Sequence, residues 1–479
     1  MRTLTLISVL GVLVLASCSD RLAKREIDDC VDDNGDRLTV AAVRDRVDLD
    51  VPTFSDPTDV SNPFFPIAAL ESTVILGFEG GDRLRVETTL LPETVAIDVD
   101  GASIDTLQSQ FVASVNGRIR EVAIDHYAQA DDGSVFYFGE EVFNFSDGVV
   151  TDFNGTWQAG RDGAPPAMIM PANPRVGDVF RPENFCGVVF EEVTVQAVDV
   201  DVIGPSGLVA GAIVTSELHT DGPNEQKAFA PDYGEFSSGF GADLEQLALA
   251  VPTDRVTPPS RSTLPRLAPE AAIIHFAAGD GQALPSGRPT DSLPSGRAAN
   301  WPAVRQALGD LDAAVSSFAR EGNLPPLLKA QLDDAVVALD KAVAARDPLL
   351  VRHRAIAVAR ASFDFLLRVE PVSDVDRARF DLWLAQVDVD AAAGRARFDG
   401  IRVAGDGAIR GDTASAERVW DRIQHTFDPS VADKIDSGLQ ALRDAAEADD
   451  DAARLAGELR AMLDGTGWPL PATELTTGP

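Results

Sequence analysis

The sequence predicts an α+β protein of two domains, an antiparallel β-meander followed by a proline-rich linker and an all-α helical bundle. Three observations predict it. From Asn62 to about Ala250, short runs of alternating apolar and polar residues are separated by Gly, Asn and Asp turn signals. Residues 251–300 are dense in proline and repeat Leu-Pro-Ser-Gly-Arg at 284–288 and 293–297. From Trp301 onward the apolar residues recur at steps of three and four.

The chain opens Met1-Arg2-Thr3 and then runs apolar from Leu4 to Leu15. A cationic start before a short apolar core is the form of a secretory signal. The core is well short of the roughly 20 residues a membrane-spanning helix needs. Leu15-Ala16-Ser17-Cys18 follows and resembles the lipobox of bacterial lipoproteins. The resemblance implies cleavage before Cys18, palmitate or a similar acyl chain on that cysteine, and a membrane as the first partner. Ser19 in the next position implies the outer membrane rather than the inner. Residues 1–17 are thus expected to be a signal peptide, and the acidic stretch 18–61 a leader and tether.

The formal net charge is −35, from 41 Lys and Arg against 76 Asp and Glu. Such a surface repels phosphate backbones and anionic headgroups, which excludes a nucleic-acid partner. With 45% apolar residues the chain has the material for packed cores. Of three cysteines, Cys18 is taken by the lipid, leaving Cys30 and Cys186. Two leftover cysteines in an oxidising compartment commonly pair, which here would pin the leader to the first domain. The alternative is two unrelated thiols.

Within the β-region (62–250), Ser72–Phe78 and Arg83–Leu90 flank the turn signal Glu79-Gly80-Gly81-Asp82. Gln110–Val115 and Arg118–Gln129 flank Asn116-Gly117, the strongest short hairpin cue. Asp131-Asp132-Gly133 turns the chain into Ser134–Phe138. In Arg118–Gln129 the alternation sets Val122, Ile124 and His126 opposite Glu121, Asp125 and Gln129. Phe136, Tyr137 and Phe138 are adjacent, and adjacent strand residues point to opposite faces, so both faces need cover. A sandwich supplies that cover, and so does a partly open barrel around a cavity.

In the linker, Ala271–Ala278 is an apolar exception expected to dock on a neighbour. The bundle (301–467, with a tail at 468–479) is expected to hold five to seven helices. Trp301, Val304, Leu308, Leu311, Val315 and Phe318 form one stripe, and Phe380, Trp383, Val387, Ala391, Gly394, Phe398 and Ile401 another. Asp347-Pro348 and Asp428-Pro429 read as N-caps followed by proline at the first helical position. Ser373 with Asp376 reads as a capping pair.

No nucleophile elbow, phosphate-binding loop or His-Glu-x-x-His zinc helix occurs, and Gly239-Phe240-Gly241 lacks the third glycine of a dinucleotide fingerprint. The best metal constellation is Glu217-x-His219-x-Asp221. On a strand these three share a face and converge on one divalent cation, although a plain polar strand explains them as well. Asp28–Asp36 is similar to a calcium loop, but Cys30 and Ala41 fall on ligand positions. His353 lies in an apolar pattern and reads as an interior or boundary histidine. Arg410-Gly411-Asp412 is expected in a loop and carries no weight.

Residues 62–236 resemble an uncharacterised secreted bacterial β-domain. The residues that carry this are Asn62-Pro63-Phe64-Phe65-Pro66, Tyr127-Ala128-Gln129, Tyr137-Phe138-Gly139-Glu140, Gly155-Thr156-Trp157-Gln158-Ala159-Gly160 and Met170-Pro171-Ala172-Asn173-Pro174. The resemblance implies a fold and no reaction. The expected function is non-catalytic: a lipid-anchored cell-envelope protein that binds or scaffolds an envelope partner, with no cofactor required. The alternative is a carrier of a lipid or other apolar ligand in the β-domain, and the third reading is a metal-binding envelope protein.

Overall fold

The computed structural model describes residues 30–32, 34–220, 224–240, 243–256, 264–279, 299–320, 322, 324–393, 397–398, 401–402, 405–448 and 451–463. The signal segment, Cys18, Asp28, Asp29, Asp33 and Asp221 lie outside the described residues.

The fold is α+β, with one 14-stranded sheet followed by helices. The first half of the sheet is β1 (Ser72–Glu79), β2 (Asp82–Val99), β3 (Ala102–Val115), β4 (Arg118–Gln129) and β5 (Val135–Ser146). β6 (Val149–Asp152), β7 (Trp157–Gln158) and β8 (Ala167–Met170) each pair with β5. The second half is β9 (Val179–Phe185), β10 (Val189–Gly204), β11 (Gly207–His219), β12 (Glu225–Ala230), β13 (Gly234–Phe240) and β14 (Asp243–Val251). The spatial order β6-β5-β4-β3-β2-β1-β14-β13-β12-β11-β10-β9 is a meander in which β14 returns to lie beside β1. Turn chemistry sets it: Asn116 and Gly117 both take positive φ (51° and 74°), as a two-residue hairpin turn demands.

The two ends of this sheet come together without closing. β5 and β9 stand near opposite ends of the strand order, yet Phe136 and Phe138 of β5 share one core with Phe180 of β9 and Val193 and Val195 of β10. The partly open barrel is therefore the arrangement found, and the adjacent aromatics are covered by the sheet curling round.

The described part of the segment expected to be a leader and tether straps the open seam. Val47 donates to Val179 O at the β9 edge (2.8 Å), and the Ala41 amide donates to the buried Glu192 (2.6 Å). Farther along, Asp131 N donates to Thr53 O (2.8 Å), and Phe54 meets Phe136 and Phe138 edge-on at 5.8 and 5.5 Å. Covering an edge strand in this way removes a row of free backbone groups. Cys30 and Cys186 are disulfide-bonded, with Cα atoms 4.9 Å apart, so the strap is fixed covalently beside β9.

The helices are α1 (Leu264–Gly279), α2 (Trp301–Ala319), α3 (Pro326–Ala345), α4 (Pro348–Leu366), α5 (Val372–Ala393), α6 (Gly405–Ile423), α7 (Pro429–Ala448) and α8 (Ala452–Met462). Among the described residues seven of them lie from Trp301 onward, within the expected number. α1 corrects the linker reading. Leu267, Ala268, Ala271, Ala272, Ile274, Ala277 and Ala278 are all buried, because a helix apolar on every side is stable only inside a core. The Asn300, Asp347 and Asp428 side chains cap α2, α4 and α7. Ser373 lies inside α5, and Asp376 accepts from Arg379 (3.0 Å) instead of capping. The second stripe ends at Ala393; Phe398 and Ile401 pair with each other in a short hairpin. Arg410-Gly411-Asp412 is helical rather than a loop, and Asp412 is buried against Arg118.

The helical layer packs directly on the outer face of the sheet. Val74, Leu249 and Val251 join the helical core, while their neighbours Thr73 and Ile75 face the barrel interior. In β2 the same alternation sends Val86 and Thr88 inward and Arg85 and Glu87 toward the helices. Arg85 makes two 2.8 Å bonds to Asp364 of α4, and Arg379 of α5 adds a third at 2.8 Å. Arg422 of α6 reaches Glu87 (2.9 Å), and Arg118 of β4 holds Asp390 and Asp412 at 2.9 Å each. Close approach at the far side needs glycine. A Cβ on Gly148, in the β5–β6 turn, would stand 2.2 Å from the Gly411 amide of α6.

Candidate site in the barrel interior

The barrel encloses a cavity of about 200 Å³. Its apolar wall comes from Ile75, Val86 and Phe111 on one half of the sheet and from Phe180 and Phe229 on the other. Phe65 and Pro66 add to it from the Asn62-Pro63-Phe64-Phe65-Pro66 motif. That motif is held by Asn62, whose side-chain amide donates to Gly133 O and Pro171 O (3.0 Å each), and Phe65 packs edge-on against Tyr127 (4.8 Å).

The remaining wall is ionisable. Asp125, Glu191, Glu217, Glu235 and Glu245 line it, with Lys227 the one cation among the lining residues. Strand register gathers them: Glu191 sits opposite His219, Glu217 opposite Glu225, and Lys227 opposite Ser238, which pairs with Glu245. Lys227 Nζ is 2.9 Å from Glu217, and His219 stands 3.1 Å from Glu191 and 3.5 Å from Glu225. Ser238 donates to Glu225 (2.6 Å).

Burial works against the charge on His219, but hydrogen bonds to Glu191 and Glu225 outweigh it and push the imidazole to about 10. Burial likewise opposes the Lys227 charge, and Glu217 and Glu235 outweigh it, holding the ammonium well above its ordinary range. The carboxyl groups move the other way. Burial, with help from Glu191, lifts Glu217 to about 7 against the pull of Lys227. Burial and Glu235 lift Glu245 to about 7. Burial and Glu191 lift Glu183, next along β9, to about 8, and its neighbour Glu140 is raised well above the usual carboxylate range. At the opposite wall Asp125 accepts from Tyr137 (2.8 Å) and Ser109 (3.0 Å), yet burial still lifts it to about 6. Asp125, Glu140, Glu183, Glu217 and Glu245 thus hold protons toward neutrality chiefly because burial penalises their charge, whereas His219 and Lys227 keep Glu191 ionised.

Of the expected metal set, the structure brings Glu217 and His219 together, and Asp221 lies outside the described residues. Glu191 completes a cluster whose donor atoms lie within 4.8 Å of one another. These donors suit a divalent cation in kind. The place is already filled by protein charge, however, since Lys227 and the His219 imidazolium neutralise the same carboxylates. Glu191, Glu225, Lys227, Glu235 and Glu245 escaped the sequence reading because each pairs across strands, not along one. Their signal was charge on the inward parity, as in Glu225-x-Lys227-x-Phe229. His353 is half-buried on α4, and burial lowers it to about 4, as a boundary histidine requires.

Among the described residues, no helix is long and apolar enough to cross a membrane. No protein-family model matches the chain, and no curated protein matches it.

Proposed function

We propose that the chain is a lipid-anchored envelope protein that binds, without catalysis, a small apolar cation in its barrel cavity. The single observation that supports this is the composition of the cavity wall: apolar over most of its area, with five carboxyl groups against Lys227 on the rest. A ligand bearing one ammonium or similar group matches both parts. Its apolar body replaces water on the aromatic wall, and its charge takes the place of a proton that Glu217 or Glu245 holds near neutrality. At about 200 Å³ the cavity exceeds the roughly 150 Å³ that accepts a benzene. It falls below the roughly 300–1,000 Å³ of sites for drug-sized ligands. The fitting ligand is a ring or short branched chain with an amine, and a two-chain lipid is out of scale.

The tether reading rests on Leu15-Ala16-Ser17-Cys18 behind its apolar core. Incorporation of labelled palmitate, with a mature chain starting at Cys18, is the expected result; a mature chain starting elsewhere removes the anchor.

The cavity reading is tested by the melting temperature of the full chain in detergent, with benzylamine or with the uncharged benzyl alcohol. A ligand that binds only the folded state raises the midpoint by mass action. The amine is expected to raise it and the alcohol not, with the amine effect weakened about tenfold in affinity by Glu245→Gln. Equal responses to both compounds, or none to either, contradict the reading.

A further inference from the structure

We propose a second site on the opposite face of the sheet, built for a free tetrahedral oxyanion of phosphate or sulfate size. Between β2, β3 and helices α4, α5 and α6 lies a cavity of about 60 Å³, separate from the barrel interior. Five guanidinium groups line it, those of Arg85, Arg360, Arg379, Arg418 and Arg422, against the single carboxylate of Glu87. In a chain of net charge −35 this is an inversion of the prevailing sign.

Counting partners shows which guanidinium lacks a direct ion pair. Glu87, Asp364 and Asp376 balance Arg85, Arg379 and Arg422 through contacts of 2.7–3.0 Å. Arg418 is held by Asp421 at 3.2 Å. Arg360 has no ion-pair partner among the described residues. Its guanidinium lies 4.0 Å over the ring of Trp383, and the nearby Asp412 shares the single Arg118 with Asp390 (2.9 Å each) without pairing with Arg360. Burial, with the repulsion of Arg85 and Arg118, brings Arg360 down to about 10 despite the opposing pull of Asp412 and Glu87.

Unmet hydrogen bonds point the same way. Arg360 Nη2, Arg379 Nε and Arg418 Nε are buried N–H donors without an acceptor among the described residues. All three arginines line the cavity. Buried donors are normally satisfied, and each one left unmet costs about 1–3 kcal/mol. An oxyanion supplies several acceptors and a negative charge at one point, and planar guanidinium groups suit it. The volume is about that of two waters in the liquid, of the order of one small oxyanion and too small for an ester tail. Gly117, exposed in the β3–β4 turn, is part of the cavity lining, so the cavity reaches the surface there.

The test is the melting temperature of the full chain in detergent with 10 mM inorganic phosphate or sulfate, against chloride at matched ionic strength. A rise with phosphate and sulfate that chloride does not reproduce is expected. Arg360→Gln is expected to weaken the response at least tenfold, and Arg418→Gln to weaken it as well, while the benzylamine response stays. Arg360 makes no ion pair among the described residues, so Arg360→Gln is expected to fold. Melting no different from chloride means the cavity holds water only and overturns the proposal. So does an undiminished response in Arg360→Gln, or a larger response to glycerol phosphate than to inorganic phosphate.

Discussion

Replacing Asp364 by asparagine is expected to lower stability by about 3–5 kcal/mol, the range for stripping one partner from a buried ion pair. Asp364 is fully buried and accepts four hydrogen bonds, two from Arg85, one from Arg379 and one from Gln331. Burial by itself would raise its carboxyl, but Arg85 and Arg379 outweigh burial and keep it below its ordinary value. An amide retains one acceptor and turns a donor toward guanidinium groups that are themselves donors. Arg85 and Arg379 would then be buried beside two carboxylates, Glu87 and Asp376, with Arg422 competing for both. The effect falls on the contact between sheet and helices, so the urea midpoint should drop strongly. Glu458→Gln is the control. Its pair with Arg454 is about half exposed, and such pairs contribute about 0–1 kcal/mol. A loss under 1 kcal/mol in Asp364→Asn would mean the lattice does not hold the two layers together.

Stability is expected to fall between pH 6.5 and pH 9 by several kcal/mol, on the order of one unit of pKa shift per about 1.4 kcal/mol. Glu183 is lifted to about 8, and Glu217 and Glu245 to about 7, from an ordinary value of 4.5. Between 4.5 and those values the folded chain holds protons that the unfolded chain has lost, so raising the pH weakens the fold. His219, lifted from 6.5 to about 10, acts in the same direction from 6.5 upward. His353, lowered to about 4, acts oppositely but only between 4 and 6.5, where the unfolded chain gains the proton first. The decline above pH 6.5 is therefore not offset by that histidine. Glu183→Gln removes one such group and should flatten the pH dependence by roughly 2 kcal/mol. The check is the urea midpoint at pH 6.5, 7.5 and 8.5; a midpoint that rises across that range contradicts the account.

How far the sequence reached can be judged from single elements. Arg118–Gln129 is a strand with the expected bounds, because the Asn116-Gly117 turn and the alternation agree. Asp347 and Asp428 cap their helices because an N-cap depends only on residues two or three positions away. What failed needed long-range knowledge. Arg85 and Glu87 were not singled out, since charge on alternate strand residues carries no local sign of a partner; the helices bring opposite charges to them. The α1 helix hid among prolines whose local signal is loop, and its stability comes from a bundle some distance along the chain. Glu217 and His219 were legible as strand neighbours sharing a face. Glu191, Glu225 and Lys227 join them only once strand register is known.

The reading of the barrel as a receptor for a small apolar cation is tested most directly by calorimetric titration of the full chain with benzylamine at pH 7. The titration is run in two buffers of different ionisation enthalpy. Carboxyl groups sitting near 7 must give up protons as an ammonium enters, so the measured heat should depend on the buffer and report a fraction of a proton released. Buffer-independent heat, or the same heat from benzyl alcohol, would show that the acidic wall does not recognise charge.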